Sequence, residues 1–165
     1  MLRRCLDAVV CPLVCYDLRF PELFRLGVVG PRDEGAAAWI GPAEIFPIGA
    51  SWPAARQPHW RSLLIARAIE NQAYVVGVNR CGSDPHIDYA GGSIIVSPKG
   101  EVLAEAGDGP EILRADLDLE ALRAWRRDFP ALRDLKRPFI GEVVLDLETG
   151  RSAPVSAKSG VESNR

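Results

Sequence analysis

The sequence predicts a layered α/β domain of the α+β kind, and two observations favour that class. Short apolar runs alternate with segments of helical periodicity along most of the chain. With 165 residues, 47% of them hydrophobic, the chain is also long enough to bury a core of its own. The predicted order of elements is β-α-β-α-β-β-β-α, followed by a polar tail.

The first half of this order contains two strands and the start of a helix. Residues 8–14, AVVCPLV, are typical of a buried strand, although Pro12 removes one ladder hydrogen bond. Residues 21–26 begin with proline, which suits the first turn of a helix. Residues 44–51, EIFPIGAS, return to strand character. Between these two elements, the Gly- and Pro-rich residues 28–42 are expected to form a surface insertion.

The second half opens with the most regular helix in the sequence, predicted over residues 59–72. Its apolar side chains recur at helical spacing, which predicts one buried face. Residues 73–80, AYVVGVNR, follow as a buried strand. The helix positions expected to face the core are Trp60, Leu63, Leu64, Ala68 and Ile69.

The remaining segments of the domain are shorter. SDPHIDYAGG, residues 83–92, is rich in turn formers and predicts a loop. Residues 93–107 predict a hairpin with its turn at 97–100. Residues 111–117 are expected to begin as a strand and to become a helix near Asp118, whose carboxylate can cap the helix.

The sequence divides into a domain over residues 1–138 and an extension over residues 139–165. A short strand is expected at residues 142–147. The rest of the extension is polar and poor in large apolar side chains, so we expect it to be largely disordered.

The composition limits the kinds of molecule that we expect the protein to bind. Its net charge of -2 gives no sign of the basic surface that binds nucleic acid or an anionic membrane. No apolar run approaches the roughly 20 residues of a membrane span, and Asp7 interrupts the N-terminal stretch, so we expect a cytoplasmic protein. The four cysteines show no CxxC spacing. We therefore expect no zinc site, no disulfide framework and no cofactor.

Cys15 stands where an apolar strand gives way to the charged and aromatic segment YDLRFPELFR. A strand that turns sharply into a helix projects this side chain out of the sheet and directs backbone N–H groups at a developing negative charge. Cys15 is thus a candidate nucleophile. The alternative is a core thiol, because free cysteine is among the most buried residue types. The core interpretation is the one we apply to Cys5, Cys11 and Cys81.

Four motifs in a fixed order carry a resemblance to a known family. They are CYDLRFPELFR, GASWPAAR, HWRSLLIARAIENQAYVVGVNRCGSDP and YAGGSIIVSPKGEVLAEAGDG. From about residue 9 to about residue 138 the chain resembles the C-terminal half of the nitrilase superfamily of carbon–nitrogen hydrolases, nearest to the omega-amidase-like branch. The resemblance implies part of a four-layer αββα sandwich. It also implies thiol-dependent hydrolysis of a small amide by a homo-oligomer.

The resemblance assigns roles to residues of this sequence. Cys15 would be the nucleophile that attacks the amide carbon to form a thioester, with the backbone N–H of Tyr16 as oxyanion donor. Ser51 and Trp52 match residues that line the acyl pocket in the family.

Three further motif residues are candidates for supporting roles. Arg19 and Glu22 are expected to form a local ion pair at i,i+3 spacing, with a position facing the pocket as the alternative. Glu70 is expected to be a buried structural carboxylate that pairs with an arginine, rather than the catalytic base.

The sequence departs from the family in the residues before the nucleophile. The resemblance implies a general-base glutamate and a lysine there, but the fourteen residues preceding Cys15 contain neither. The chain's lysines, Lys99, Lys136 and Lys158, stand downstream, at places that are not catalytic in the family. We therefore expect a truncated domain with apolar sheet surface exposed.

Three interpretations of this departure stay open. The first is a hydrolase whose complete form is longer. The second is an inactive remnant that binds a full-length relative through the family's subunit interface. The third is a pocket that binds a small carboxylate or amide without turnover.

Overall fold

The computed structural model describes residues 2–29 and 40–136, together with the backbone of residues 144–145 and 152–153. The chain separates into two units, Met1–Leu135 and Lys136–Arg165. Most of the predicted insertion at residues 28–42 lies outside the described residues. The same is true of nearly all of the extension predicted to be disordered.

A seven-stranded mixed sheet forms the frame of the first unit, in the order β1-β2-β4-β5-β8-β9, with β3 pairing β4 as well. β2, β3 and β5 run parallel to β4, whereas the outer pairs are antiparallel. The strands of the unit are β1 (Arg3–Cys5), β2 (Ala8–Val10), β3 (Leu13–Val14), β4 (Ile45–Ala50), β5 (Tyr74–Asn79), β6 (Cys81–Ser83), β7 (Asp88–Ala90), β8 (Ile94–Val96) and β9 (Val102–Glu105).

In the described ranges, three α-helices accompany the sheet: α1 (Pro21–Val29), α2 (Gln57–Asn71) and α3 (Leu119–Asp128). Asp118 caps α3, because its Oδ1 accepts a hydrogen bond of 2.8 Å from the Ala121 N–H, as the sequence predicted. Within the described ranges, no helix combines the length and the apolar character that crossing a lipid bilayer requires. Single turns of 3-10 helix occur at Cys15–Arg19, Ala54–Arg56 and Ala131–Asp134.

The core lies between one face of the sheet and the helices α1 and α2. The two layers approach closely at Gly77 of β5, where a Cβ atom would stand 2.6 Å from Leu64 Cδ1 and 2.9 Å from Trp60 Cζ2. Glycine at this position therefore lets α2 pack directly on the strand. The largest fully buried apolar side chains are Leu18, Phe24, Phe46, Ile48, Trp60, Leu64, Val75, Ile94 and Val96.

The opposite face of the sheet is open along β3, β4 and β5. Val14 pairs in register with Gly49, and Gly49 with Val78, so the three residues share this face. Val14 is 67% exposed and Val78 is 57% exposed, and no atom lies within 4 Å of the place of a Gly49 Cβ. We call Val14, Gly49 and Val78 the open face. An exposed apolar sheet surface of this kind is what half of a four-layer sandwich is expected to present.

Two local predictions need correction. The strand predicted over residues 8–14 is interrupted at Pro12, which separates β2 from β3. The loop predicted over residues 83–92 contains part of an antiparallel ladder, β6 with β7. The ladder forms because Asp84 Oδ1 accepts hydrogen bonds from His86 N–H (3.0 Å) and Ile87 N–H (2.9 Å), which fixes the turn between the two strands.

The helix limits and one further strand also differ from prediction. α2 begins at Gln57, two residues before the predicted start, and α1 continues to Val29. Residues 111–117 join no strand in the described part of the chain, and Ile112 is 82% exposed. An apolar run without a neighbouring strand to pair with has nothing to hold it in a ladder.

The second unit contains one described pair of strands. β10 (Val144–Leu145) pairs antiparallel with β11 (Ser152–Ala153), with Val144 opposite Ala153. β10 falls inside the strand predicted over residues 142–147.

Candidate functional site

Cys15 occupies a strained turn at the carboxyl end of β3. It is the first residue of the turn Cys15–Arg19, and its φ of +42° lies in the left-handed region that side chains disfavour. Such a conformation costs about 1–3 kcal/mol and persists only where the surroundings hold it. One holding contact is local: Asp17 Oδ2 accepts a hydrogen bond of 2.8 Å from the Val14 N–H. The turn leaves the Cys15 side chain partly exposed.

A second contact holds the turn from α2. The buried guanidinium of Arg67 donates two hydrogen bonds to the Leu18 carbonyl, from Nη2 at 2.9 Å and from Nε at 3.2 Å. It also donates to Glu70 Oε1 at 2.9 Å and lies 5.3 Å from the centre of the Phe24 ring. A hydrogen bond from a charged donor contributes about 1.5–3 kcal/mol. Arg67 therefore fixes the Cys15 turn against the core.

A cleft of about 450 Å³ opens beside the turn, a size that suits a small molecule. It lies where the carboxyl ends of the parallel strands β3 and β4 meet, the edge at which open α/β sheets place their sites. Its lining carries a thiol, two hydroxyl groups and two guanidinium groups, and no carboxylate or lysine belongs to it. The lining residues are Cys15, Tyr16, Arg19, Ser51, Trp52, Pro53 and Arg56.

Trp52 is the rigid part of the cleft wall. Its side chain is buried, with the ring 5.6 Å from that of Trp60, and its Nε1–H donates a hydrogen bond of 2.8 Å to the Arg56 carbonyl. Asn79, at the end of β5, accepts a hydrogen bond of 2.7 Å from the Trp52 N–H through Oδ1. Asn79 Nδ2 donates to the Trp52 carbonyl at 3.3 Å and to the Gly91 carbonyl at 2.8 Å. The amide of Asn79 thus locks the Trp52 backbone.

Arg19 faces the cleft instead of pairing with Glu22. Its guanidinium carbon stands 4.7 Å from the centre of the Trp52 ring, a cation–π contact. No ion pair joins Arg19 to Glu22, both of which the structure describes, and Glu22 is exposed at the start of α1. The predicted pair is therefore wrong. Phe20 is extended, at φ -110° and ψ 94°, and it separates the two residues into different helical segments, so the i,i+3 rule does not apply.

The other predicted residues divide between the cleft and the core. Tyr16 and Ser51 stand exposed at the cleft, where the Tyr16 ring packs edge-to-face on Phe20 with centroids 5.2 Å apart. Glu70 does not line the cleft. It pairs with Arg67 and, at 3.3 Å, with Arg25, as predicted, although its side chain is 27% exposed and so only partly buried.

The four cysteines differ in exposure, and all are free thiols. Cys11 is buried, and desolvation raises the pKa of its thiol. Cys5 is exposed, because β1 lies at the edge of the sheet with all of its residues in solvent, and Cys81 is partly exposed. The core interpretation is therefore right for Cys11 and wrong for Cys5.

Three residues that sequence reasoning missed help to build this site: Arg56, Arg67 and Asn79. Asn79 had a usable signal, because it is a polar residue at the carboxyl end of a strand parallel to the one before Ser51. Arg67 had none, since its partner, the Leu18 carbonyl, lies 49 residues away.

Comparison with known proteins places these observations in one family. The carbon-nitrogen hydrolase family model matches residues 5–127. Omega-amidase YafV of Escherichia coli (strain K12) is 45% identical over 128 residues, which cover 76% of this chain and 44% of the relative. 2-Oxoglutaramate amidase of Bacillus subtilis (strain 168) is 42% identical over 125 residues, again 76% of this chain and 44% of the relative. The chain thus spans less than half the length of these curated relatives.

A solved structure agrees with the sequence matches. XC1258 from Xanthomonas campestris, a CN-hydrolase superfamily protein with an arsenic adduct in its active site, superposes with a TM-score of 0.73 at 31% identity. The match covers 87% of this chain and 51% of the Xanthomonas chain.

Proposed function

The chain belongs to the carbon-nitrogen hydrolase family, in its omega-amidase-like branch, and on that premise we propose that it provides the nucleophile for hydrolysis of a small amide to an acid and ammonia. The observation that carries this proposal is the geometry of Cys15. Its thiol sits on a strained turn, held by Asp17 and Arg67, at the wall of a cleft of small-molecule size.

The reaction proceeds in two steps. The Cys15 sulfur attacks the amide carbon, and the C–N bond breaks as the proton lost by the thiol is transferred to the nitrogen, which leaves as ammonia. Water then attacks the thioester, which returns the thiol and releases the acid. The backbone N–H of Tyr16 donates a hydrogen bond to the oxyanion of each tetrahedral intermediate. Ser51 and the fixed Trp52 ring line the space that the acyl group occupies.

The general base and the lysine come from polypeptide other than the described cleft residues. No carboxylate or lysine is among the residues that line the cleft, and Lys99 lies 5.9 Å from the Trp125 ring centre, in contact with α3 instead. We place the polypeptide that carries the general base and the lysine against the open face, because this face contains Val14, the residue just before Cys15. All four cysteines are free, which suits a reducing cytoplasm as the place of action.

Ammonia release tests the proposal. The purified chain is mixed with 2-oxoglutaramate, alone and together with the part of the Escherichia coli omega-amidase that lies outside the matched region. We expect the chain alone to release ammonia slowly or not at all, because loss of interacting catalytic groups costs orders of magnitude in rate. The mixture should release it steadily. A folded mixture that forms a stable complex but releases no ammonia would contradict the proposal.

The open face also favours a second candidate function, that of an oligomerisation partner without turnover. An apolar sheet surface with Val14 and Val78 exposed is suited to association with a copy of the chain or with a longer relative. Sedimentation analysis of the same mixtures separates the two candidates. A homo-oligomer, or a complex with the relative, in which no condition produces ammonia would favour the second.

A further inference from the structure

One buried side chain, that of Asn79, holds the wall of the cleft from behind. Asn79 is the last residue of β5, it is only 7% exposed, and it is not among the residues that line the cleft. Its Oδ1 accepts a hydrogen bond from the Trp52 N–H, and its Nδ2 donates to the carbonyls of Trp52 and Gly91. The oxygen and both N–H groups of the amide are therefore used within the protein. A ligand in the cleft meets Trp52 and not Asn79.

The contact with Trp52 replaces the pairing that the sheet no longer provides at this point. β4 ends at Ala50, so Trp52 has no neighbouring strand in the described part of the chain. The side-chain amide of Asn79 has the donor and the acceptor of a peptide group, and it binds the N–H and the carbonyl of Trp52 together. Two hydrogen bonds to one residue fix its orientation as well as its position.

The third hydrogen bond of the amide connects Trp52 to a closely packed part of the backbone. Gly91 has a φ of +60°, and a Cβ atom there would stand 2.7 Å from the Gly107 carbonyl oxygen. The Gly91 carbonyl also accepts a hydrogen bond of 3.2 Å from Gln57 Nε2. Asn79 therefore ties Trp52 to a point that has little freedom to move.

The ring of Trp52 has other contacts, but its backbone depends on Asn79. The indole N–H donates to the Arg56 carbonyl, and the ring packs on Trp60. Without the amide of Asn79, these contacts would hold the ring alone, and the backbone that joins it to Ser51 could shift. Because Ser51 and Trp52 line the cleft, the shape of the acyl space depends on a residue outside the cleft.

We infer that Asn79 is a positioning residue that makes the cleft select straight over branched acyl chains by fixing Trp52, an inference that rests on the proposed function because it takes Cys15 as the nucleophile. A wall that cannot move aside rejects a branch near the reacting carbonyl, because a packed protein yields little to added volume. A mobile wall admits both shapes. The preferred substrates are therefore small amides whose acyl chain is unbranched next to the carbonyl.

Acylation of Cys15 by two isomeric esters measures this selectivity without turnover of an amide. p-Nitrophenyl butyrate and p-nitrophenyl isobutyrate differ only in the branch. In each reaction the thiol loses its proton to solvent, the sulfur–carbon bond forms and p-nitrophenolate leaves. Mass spectrometry of fragments that contain Cys15 gives the two rate constants, and their butyrate-to-isobutyrate ratio is divided by that of N-acetylcysteine. We expect this normalised ratio to be about tenfold, the lower end for one misplaced carbon in a pocket.

Asn79→Ala is expected to bring the normalised ratio close to one, mainly through faster reaction with isobutyrate. Asn79→Asp is a second variant of nearly the same shape. It should lower the ratio as well, because it replaces the Nδ2 donor by an oxygen that faces the Trp52 and Gly91 carbonyls. Circular dichroism establishes that each variant compared is folded.

The control is Ser93→Ala. Ser93 Oγ accepts a hydrogen bond of 3.0 Å from the Asn79 N–H, so this variant removes a contact of the same residue but leaves the amide on Trp52. Its normalised ratio should equal that of the unaltered chain, whereas a role of Asn79 in stability alone predicts similar effects for Ser93→Ala and Asn79→Ala.

The possible results separate this inference from the proposed function. A normalised ratio near one in the unaltered chain would overturn the inference and leave the proposed function standing, since Cys15 is still acylated. A ratio that is unchanged in a folded Asn79 variant, or lowered equally by Ser93→Ala, would do the same. No acylation of Cys15 by the butyrate ester would overturn both.

Discussion

Cys15→Ser is expected to release no measurable ammonia from 2-oxoglutaramate in the mixed assay, a loss of roughly 10⁴-fold or more. A serine hydroxyl at the same position is a far weaker nucleophile than a thiol. The measurement is the initial rate of ammonia release at equal concentrations of folded protein.

The matched control for this variant is Cys81→Ser. Cys81 is another partly exposed free thiol, and it is not a lining residue of the cleft. This substitution should leave the rate unchanged. Release by Cys15→Ser within tenfold of the unaltered chain, tenfold being about 1.4 kcal/mol in the barrier, would contradict the assignment of Cys15 as nucleophile.

Arg67→Met is expected to lower the free energy of unfolding by about 3 kcal/mol. The substitution keeps most of the apolar stem but removes both hydrogen bonds to the buried Leu18 carbonyl, which then lacks its charged donor. Urea denaturation followed by circular dichroism measures the change, provided that the dependence on urea concentration stays constant.

Arg25→Met is the comparison for Arg67→Met. Arg25 also pairs with Glu70, at 3.3 Å, and donates to the Glu70 carbonyl, but it is only partly buried, and among the described residues no hydrogen bond joins it to the Cys15 turn. Its loss should cost about 1 kcal/mol. Equal losses for the two variants would mean that the bond to the turn contributes little and that the Glu70 network is what matters.

The fold class could be read from the sequence because it depends on local periodicity. The apolar runs at β4 and β5 and the helical spacing in α2 each predicted the right element. The spacing was less reliable for the details of the buried face. Ile69 is half exposed, whereas Arg67 is buried, because the Leu18 carbonyl and Glu70 satisfy its guanidinium inside the core.

The errors in the predicted strands have a different cause. A segment forms a β-strand only where a neighbouring strand is available to pair with it. Residues 111–117 have strand-like composition but pair with nothing in the described part of the chain. Residues 88–90 look like loop but pair with β6, because Asp84 organises the turn that joins them. Neither outcome is encoded in the composition of the segment itself.

The candidate site was found where motif and local geometry coincide. Cys15 and Trp52 follow strands at the same sheet edge. Both the strand end and the family resemblance point to Cys15, whereas Trp52 was identified from the family resemblance alone. Asn79 and Arg56 were missed because their roles come from Trp52, which Asn79 contacts across 27 residues of sequence. Contacts of that range follow from the assembled sheet and are not visible in any window of the sequence.

The most direct test of the account is acylation of Cys15 by p-nitrophenyl acetate. This ester loses a stable anion, so acyl transfer to the thiol needs neither the general base nor the lysine that the described cleft lacks. We predict a burst of p-nitrophenolate from the chain alone, with one acetyl group on Cys15. Cys5, Cys11 and Cys15 lie between Arg4 and Arg19 and share a tryptic peptide, so fragment ions must locate the group. Acetylation of exposed Cys5 as fast as that of Cys15 would contradict the account.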